Sequence, residues 1–358
     1  MSDTASASYL LPPAAYRAAD WYEREQAALF TPRWALVAAA SELSEPGDFV
    51  TVTVGRAPLL VVRGGDGELR AFHNLCRHRG MQLLTGAGRC ERTIDCFYHQ
   101  WRYGLEGDLR VVPQRKEQFP ELDTADWGLL PAAVGVWEGM VFAHPDADAP
   151  PLARTLAGLA DSIGSYRPGA LAQVAKVELD AACNWKLFVE NHIDVYHLWY
   201  LHERTLGDFD HTRFEHWQVG RDWFSYEPVR SGHASDAALT AGTIAIGHLD
   251  DRDRHGLGAH LVFPNLMIAT AAEFVATYEA IPLAPDRTRI VLRVRAEADA
   301  DAASLSASVQ SFIREDIHAC EQVQAGMASP AFSVGPLAVE HEAPITAFHR
   351  NVLSAVGA

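Results

Sequence analysis

Between Asn184 and His202 the chain reads NWKLFVENHIDVYHLWYLH, which sets Asn191, Asp194, His197 and His202 among Trp, Tyr, Phe and Leu. Polar, metal-capable side chains in an apolar segment are costly unless something binds them. Two imidazoles and a carboxylate suit a divalent transition metal such as iron. Asp194 and His197 are three apart and share a helix face. His197 and His202 are five apart, which splays them by roughly 140° on a regular helix. To converge on one ion they need a wide π-type turn or a helix that breaks between them. The competing reading is a buried amphipathic helix whose histidines are satisfied by hydrogen bonds.

A second constellation lies upstream, in CRHRG at 76–80 and CFYHQW at 96–101. Each short stretch offers one thiolate and one imidazole: Cys76 with His78, and Cys96 with His99. A zinc finger usually presents its cysteines as one close pair and its histidines as another. The order here can put both sulfurs on one iron and both imidazoles on the other, as in a Rieske [2Fe–2S] centre. Gly80 and Gly104 are expected in tight loops that bring backbone N–H groups towards cluster sulfur. Cys90, between the loops, reads as a packed free thiol. A zinc-stabilised binding module is the alternative that metal analysis would expose.

A third candidate lies on a late helical stretch. In SVQSFIREDIHACEQVQAGM, Val309, Phe312, Ile313, Cys320 and Val323 form one apolar helical stripe, and Asp316 sits inside it. Glu315 falls at its edge. A carboxylate on a buried stripe needs a cation or hydrogen-bond partners. Asp316 is therefore a candidate metal-ligating carboxylate, and the alternative is an inward Asp paired with Arg or backbone. The other histidines, including His192, His211, His216, His255 and His318, belong to no comparable cluster and read as surface or core residues.

The elements that must position these residues follow from patterning. A helix is expected over 13–30. From Phe49, alternating FVTVTV, then PLLVVR and the Gly64-Gly65-Asp66-Gly67 turn, begin a run of short strands. Residues 40–147 are expected to be a small all-β domain carrying the Cys/His quartet. Residues 1–39 are expected to be a helical segment packed on the second domain, which spans 148–358. That domain combines strands with a closing helix near 303–325. The fold class is α+β. Residues 231–256 lack periodicity and are expected to form a loop over a pocket. Its other wall candidates are Trp199, Tyr200, Leu206, Phe209, His255, Leu261 and Phe263, which make the cavity mostly apolar and favour an aromatic substrate.

The chain has 358 residues and a formal net charge of −16, without a Lys/Arg-rich run. That argues against nucleic acid and anionic lipid as partners. No stretch has membrane-spanning length and the N-terminus shows no secretory pattern. Five scattered cysteines suit a reducing cytoplasm rather than a disulfide framework.

On C-x-H, a spacer of 17 residues, C-x2-H and the following WRYGLEG, together with NWK, EN, D, YH and a final H, the chain resembles the Rieske non-haem iron oxygenase alpha subunits. The resemblance covers most of the chain and includes domain order. It implies a Rieske domain followed by a helix-grip-like catalytic domain with an antiparallel sheet and long helices. It implies a [2Fe–2S] cluster on Cys76, His78, Cys96 and His99, and ferrous iron on His197, His202 and Asp316, which with Glu321 and Gln324 also resembles the family's ligand helix. Asn191 would lie near the iron without ligating it. Asp194 would join His197 to His99 of the partner subunit in a homotrimer. The implied activity uses O₂ and electrons from a separate NAD(P)H-dependent reductase, with or without a ferredoxin, to hydroxylate or dealkylate a small organic substrate. Quaternary-amine monooxygenation is the alternative, although some of those enzymes carry Glu where this chain has Asp194. A Rieske electron carrier without oxygenase activity is the alternative of another class.

Overall fold

The computed structural model describes residues 9–230 and 244–357. The chain forms two compact units, one of Gln26–Thr155 and one of Met1–Glu25 with Leu156–Ala358.

The smaller unit is built on antiparallel strands, with only short helical segments between and beside them. Its strands are β1 (Ala35–Ala39), β2 (Asp48–Val54), β3 (Ala57–Arg63), β4 (Leu69–His73), β5 (Ala87–Arg89), β6 (Thr93–Asp95), β7 (Arg102–Gly104), β8 (Leu109–Val111), β9 (Pro131–Trp137) and β10 (Met140–His144). Seven form a sheet in the order β1-β10-β9-β4-β3-β2-β5, and β6-β7-β8 form a second sheet. Val50, Val52 and Val54 alternate with threonines on β2, the period-two pattern of a strand with one covered face. Residues 26–39 group with this unit because β1 pairs with β10, from Ala35 opposite Ala143 to Ala39 opposite Met140.

The two Cys/His loops leave from strand ends. One runs from β4 to β5, the other from β6 to β7. Leu60, Phe72, Ile94, Trp101, Tyr103 and Leu105 pack into a core that includes Cys76 and Cys96.

The larger unit is a seven-stranded antiparallel sheet with a long helix against it, the helix-grip form. Its strands are β11 (Ala172–Ala181), β12 (Glu215–Val219), β13 (Asp222–Pro228), β14 (Gly256–Val262), β15 (Leu266–Ala271), β16 (Phe274–Ala284) and β17 (Arg287–Ala296), in the order β11-β17-β16-β15-β14-β13-β12. The helix Ala302–Gly326 starts on an Asp301 cap that accepts from the N–H groups of Ala303 and Ser304. It buries Leu305, Val309, Ile313, Ile317, Cys320 and Gln324.

That stripe differs at its end from the expected one. Val323 is 46% exposed and Gln324 is buried instead. The amide has work inside: Gln324 Oε1 accepts from Asn184 N at 2.9 Å and its Nε2 donates to Tyr16 O at 3.3 Å. Glu321, one turn earlier, accepts from Ala182 N at 2.9 Å. Two side chains of the long helix thus fix the start of the helix Trp185–His192.

The same start is held from the N-terminal segment. Asn184 caps the helix by accepting from Lys186 N at 3.0 Å. Lys186 Nζ lies 2.7 Å from Glu25 Oε1, and Trp185 Nε1 donates to Glu25 Oε2 at 2.9 Å. Both members of the ion pair are buried. Breaking such a pair typically costs about 3–5 kcal/mol, because the remaining charge is left uncompensated. These bonds tie the segment that ends at Glu25 to the larger unit. No helix among the described residues is long and apolar enough to cross a membrane.

Candidate active site

The helix begun at Asn184 ends at His192. The chain turns through 193–197 and makes one further helical turn, Leu198–Leu201, flanked by His197 at its N-cap and His202 at its C-cap. The five-residue spacing is met neither by a wide turn nor by a break between the two histidines: one short turn joins them, and His202, at its C-cap with φ −105° and ψ 23°, has already left helical geometry. Both imidazoles swing towards the long helix, where Asp316 lies.

His202 Nε2 lies 2.8 Å from Asp316 Oδ1, and His197 Nε2 lies 3.6 Å from the same oxygen. One donor atom from each of the three residues falls within 4.8 Å of the others, room enough for one ion between them. The other edge of each ring is held by a carboxylate. His197 Nδ1 is 3.2 Å from Asp194 Oδ2, and His202 Nδ1 is 2.8 Å from Glu315 Oε2. Thr205 Oγ1 donates to the same Glu315 oxygen at 2.9 Å. Such bonds fix ring orientation and leave each Nε2 free as a donor to a metal.

The electrostatics agree. Burial pushes His197 down, but hydrogen bonds to Asp194 and Asp316 outweigh it and raise its pKa to about 9. Burial pushes Asp316 up, and its bonds to His197 and His202 overcome that and hold it below the usual carboxylate range. Two imidazoles crowd one carboxylate where a divalent ion would serve all three.

In the smaller unit the two loops repeat one backbone pattern. Cys76 N donates to Met81 O and Gly80 N to Cys76 O; Cys96 N donates to Trp101 O and Gln100 N to Cys96 O. Gly80 and Gln100 occupy matching left-handed positions, with φ of 71° and 58°. The expectation for Gly104 is corrected here. It closes β7 rather than turning a loop, and a Cβ there would meet Asp108 and Arg110.

Cys76 and Cys96 are buried free thiols. Burial pushes the Cys76 thiol up, the Tyr103 hydroxyl pulls it down, and the Cys96 thiol beside it pushes it up again. The His78 and His99 rings lie 4.6 Å apart between centroids, and Trp101 stacks on His78 at 5.0 Å. His78 Nδ1 is buried without a partner among the described residues. Two adjacent buried thiols and an orphaned imidazole nitrogen are the donor set an iron–sulfur cluster satisfies.

A cavity of about 760 Å³, its open mouth included, adjoins the His197, His202 and Asp316 donors. Asn191 and Asp194 also line it. Of the seven wall residues expected from sequence, Leu206 lines it and the others do not. Tyr200 points to solvent, Trp199 packs on His211 and His341, and Phe263 packs on Phe348. The expected loop over the pocket falls partly on 231–243, outside the described residues.

Residues not expected at the site line the cavity too, notably Glu227 and Tyr278. His211, read from sequence as unattached, bonds to Glu227. A His and a Glu on different elements carry no local spacing signal. The only hint was a charged residue inside the apolar DWFSYEP strand.

The ring hydroxylating alpha subunit (catalytic domain) family matches residues 168–358, and the Rieske [2Fe-2S] domain family matches residues 33–128. The chain belongs to the ring hydroxylating alpha subunit family. Its cofactors are a Rieske [2Fe–2S] cluster and a mononuclear iron.

Relatives within the family differ in substrate. The chain is 30% identical to the carnitine monooxygenase oxygenase subunit of Acinetobacter baumannii over 59% of either chain. It is 35% identical to the biphenyl 2,3-dioxygenase subunit alpha of Rhodococcus jostii over 52% of its own length and 42% of the relative's. The chain thus spans about half the length of these relatives. Among solved structures, a quaternary ammonium Rieske monooxygenase in complex with L-carnitine superimposes with a TM-score of 0.82 at 23% identity, covering 98% of this chain and 96% of that one. Naphthalene 1,2-dioxygenase from Rhodococcus sp. bound to indole superimposes with a TM-score of 0.78 at 21% identity, over 97% and 94%. Both likenesses are likenesses of fold.

Proposed function

We propose that the chain is the oxygenase component of a multicomponent Rieske oxygenase, which uses O₂ and electrons originating from NAD(P)H to oxidise a small organic substrate. One observation carries the reading. The trio His197, His202 and Asp316, with both Nδ1 atoms braced by carboxylates, opens onto a mostly apolar cavity, in a chain that also has the Cys/His quartet. An electron carrier would need the quartet alone.

Cys76, His78, Cys96 and His99 would hold the cluster, and His197, His202 and Asp316 the iron. When bound, the cluster supplies single electrons and the iron supplies the centre at which O₂ is reduced and substrate oxidised. The chain's own part is positional. Asp194 and Glu315 orient the two rings, Asn191 borders the iron without binding it, and the buried walls exclude water. The assembly is a homotrimer in which Asp194 also reaches His99 of the partner subunit, and a separate reductase, with or without a ferredoxin, delivers the electrons.

Two substrate classes compete for the cavity. Phe188 and Phe312 offer an aromatic ring two faces to pack on, whereas Glu227 in the same wall offers an organic cation a counter-charge. Metal and sulfide analysis of the purified protein tests the main reading. Three irons and two acid-labile sulfides per chain are expected, the sum of one cluster and one mononuclear ion. Two irons would mark a carrier, and zinc a binding module.

A further inference from the structure

We propose that Glu227, held by His211, is the residue that selects the substrate, and that it selects an organic molecule bearing a cationic nitrogen. The assignment rests on the oxygenase reading of the cavity and names the substrate class that reading leaves open.

Glu227 is placed by sheet register. It lies opposite Leu257, and Ser225 lies opposite Ala259, which in turn lies opposite Ala269. Residues paired in this way share a face, and these five line the cavity. Four of them are small or apolar, and the fifth is a carboxylate only 3% exposed. No Lys or Arg is among the described lining residues.

The other two carboxylates on the wall are committed. Asp316 serves His197 and His202, and Asp194 serves His197 and the Tyr196 N–H. Glu227 has His211, whose Nδ1 donates to Oε2. His211 is 1% exposed, and its Nε2 is buried without a partner among the described residues. His211 orients Glu227 through Oε2. The wall thus presents an oriented carboxylate whose natural partner is a cationic group of the ligand.

A second polar group is left for the ligand as well. The Tyr278 hydroxyl is buried, unpartnered among the described residues, and on the same wall. A plain hydrocarbon would cover the unpartnered Tyr278 hydroxyl, and a carboxylate bonded only by His211, without bonding either. A cationic nitrogen answers the carboxylate, and the aromatic faces of Phe188 and Phe312 add cation–π attraction for it.

Three probes of nearly one shape test the assignment on the iron- and cluster-loaded protein: benzyltrimethylammonium, protonated N,N-dimethylbenzylamine and neutral neopentylbenzene. Binding is measured by calorimetry on the wild type and on Glu227→Gln, which keeps the shape and the bond from His211 but removes the charge. The wild type should bind at least one of the cations about tenfold or more tightly than the neutral probe, and the variant should lose that preference. The two cations distinguish a quaternary from a protonated nitrogen. Equal affinities in the wild type, no binding of either cation, or a preference that survives in Glu227→Gln would each overturn the assignment. The wild-type comparison decides by itself should the variant fail to fold. Iron and sulfide analysis of the same preparation reads the oxygenase assignment separately.

Discussion

His202 is gripped on both edges by consecutive residues of one helix: Glu315 Oε2 lies 2.8 Å from its Nδ1, and Asp316 Oδ1 lies 2.8 Å from its Nε2. Neighbours on a helix point about 100° apart, so a ring lying along the helix surface can meet both. The two carboxylates then have different tasks. Asp316 faces the donor cluster, and Glu315 faces away from it and fixes the ring. Asp316→Ala should abolish mononuclear iron binding and leave the cluster absorbance intact. Glu315→Ala should retain the site but weaken iron affinity by about 10–100-fold, the usual cost of losing such a brace. Iron titration of the two variants checks both expectations, and equal iron loss in both would erase the distinction.

Asp194 is divided between two bonds, accepting from Tyr196 N at 2.6 Å and facing His197 Nδ1 at 3.2 Å. Asp194→Asn keeps the size and one acceptor oxygen. Iron and cluster contents should stay near wild type, while turnover with a surrogate reductase falls steeply because the proposed link from Asp194 to the partner subunit is weakened. Single-turnover kinetics starting from reduced protein locate the loss in electron transfer. An unchanged rate would take away the linking role.

Legibility in the sequence followed how local each signal was. Cys76 with His78 and Cys96 with His99 were readable because ligand types recur within one short loop each, and His197 with His202 because they flank one helical turn. Asp316 was readable because a carboxylate interrupts an apolar stripe. Glu315, one residue away, looked like an edge residue, and its partner is 113 positions distant. The Glu227–His211 pair joins a strand to a loop, so no periodicity announces it. Gln324 replaced Val323 in the core because an amide could bond two backbone groups there, which a hydrophobicity pattern does not register.

The Tyr103 hydroxyl lies 3.3 Å from Cys76 Sγ and accepts from Arg77 N at 3.0 Å. The backbone donor occupies the oxygen's lone pair and turns its hydrogen towards sulfur. A hydrogen bond to a cluster thiolate favours the more negative, reduced state. Tyr103→Phe should therefore lower the reduction potential, by tens of millivolts if the bond is worth about 1 kcal/mol, since ~60 mV corresponds to about 1.4 kcal/mol for one electron. Redox titration of the cluster spectrum reads this directly, and an unmoved potential would show that the hydroxyl only packs.

Asp222, at the start of β13, accepts from Phe263 N at 2.9 Å. Burial raises its pKa to about 6 despite that bond. The folded protein thus holds this proton more tightly than the unfolded chain, whose carboxyl titrates near the ordinary 3.8. Its stabilising contribution is complete below that value and is lost as pH rises through about 6. Asn mimics the protonated acid and keeps the acceptor for Phe263. Asp222→Asn should accordingly match the wild type in stability near pH 4 and exceed it at pH 7, by about 1–3 kcal/mol. Urea unfolding of both proteins at the two pH values checks the sign. A gain of equal size at both would point to packing instead of charge, and a loss at pH 7 would mean that the ionised carboxylate has a partner the geometry does not assign.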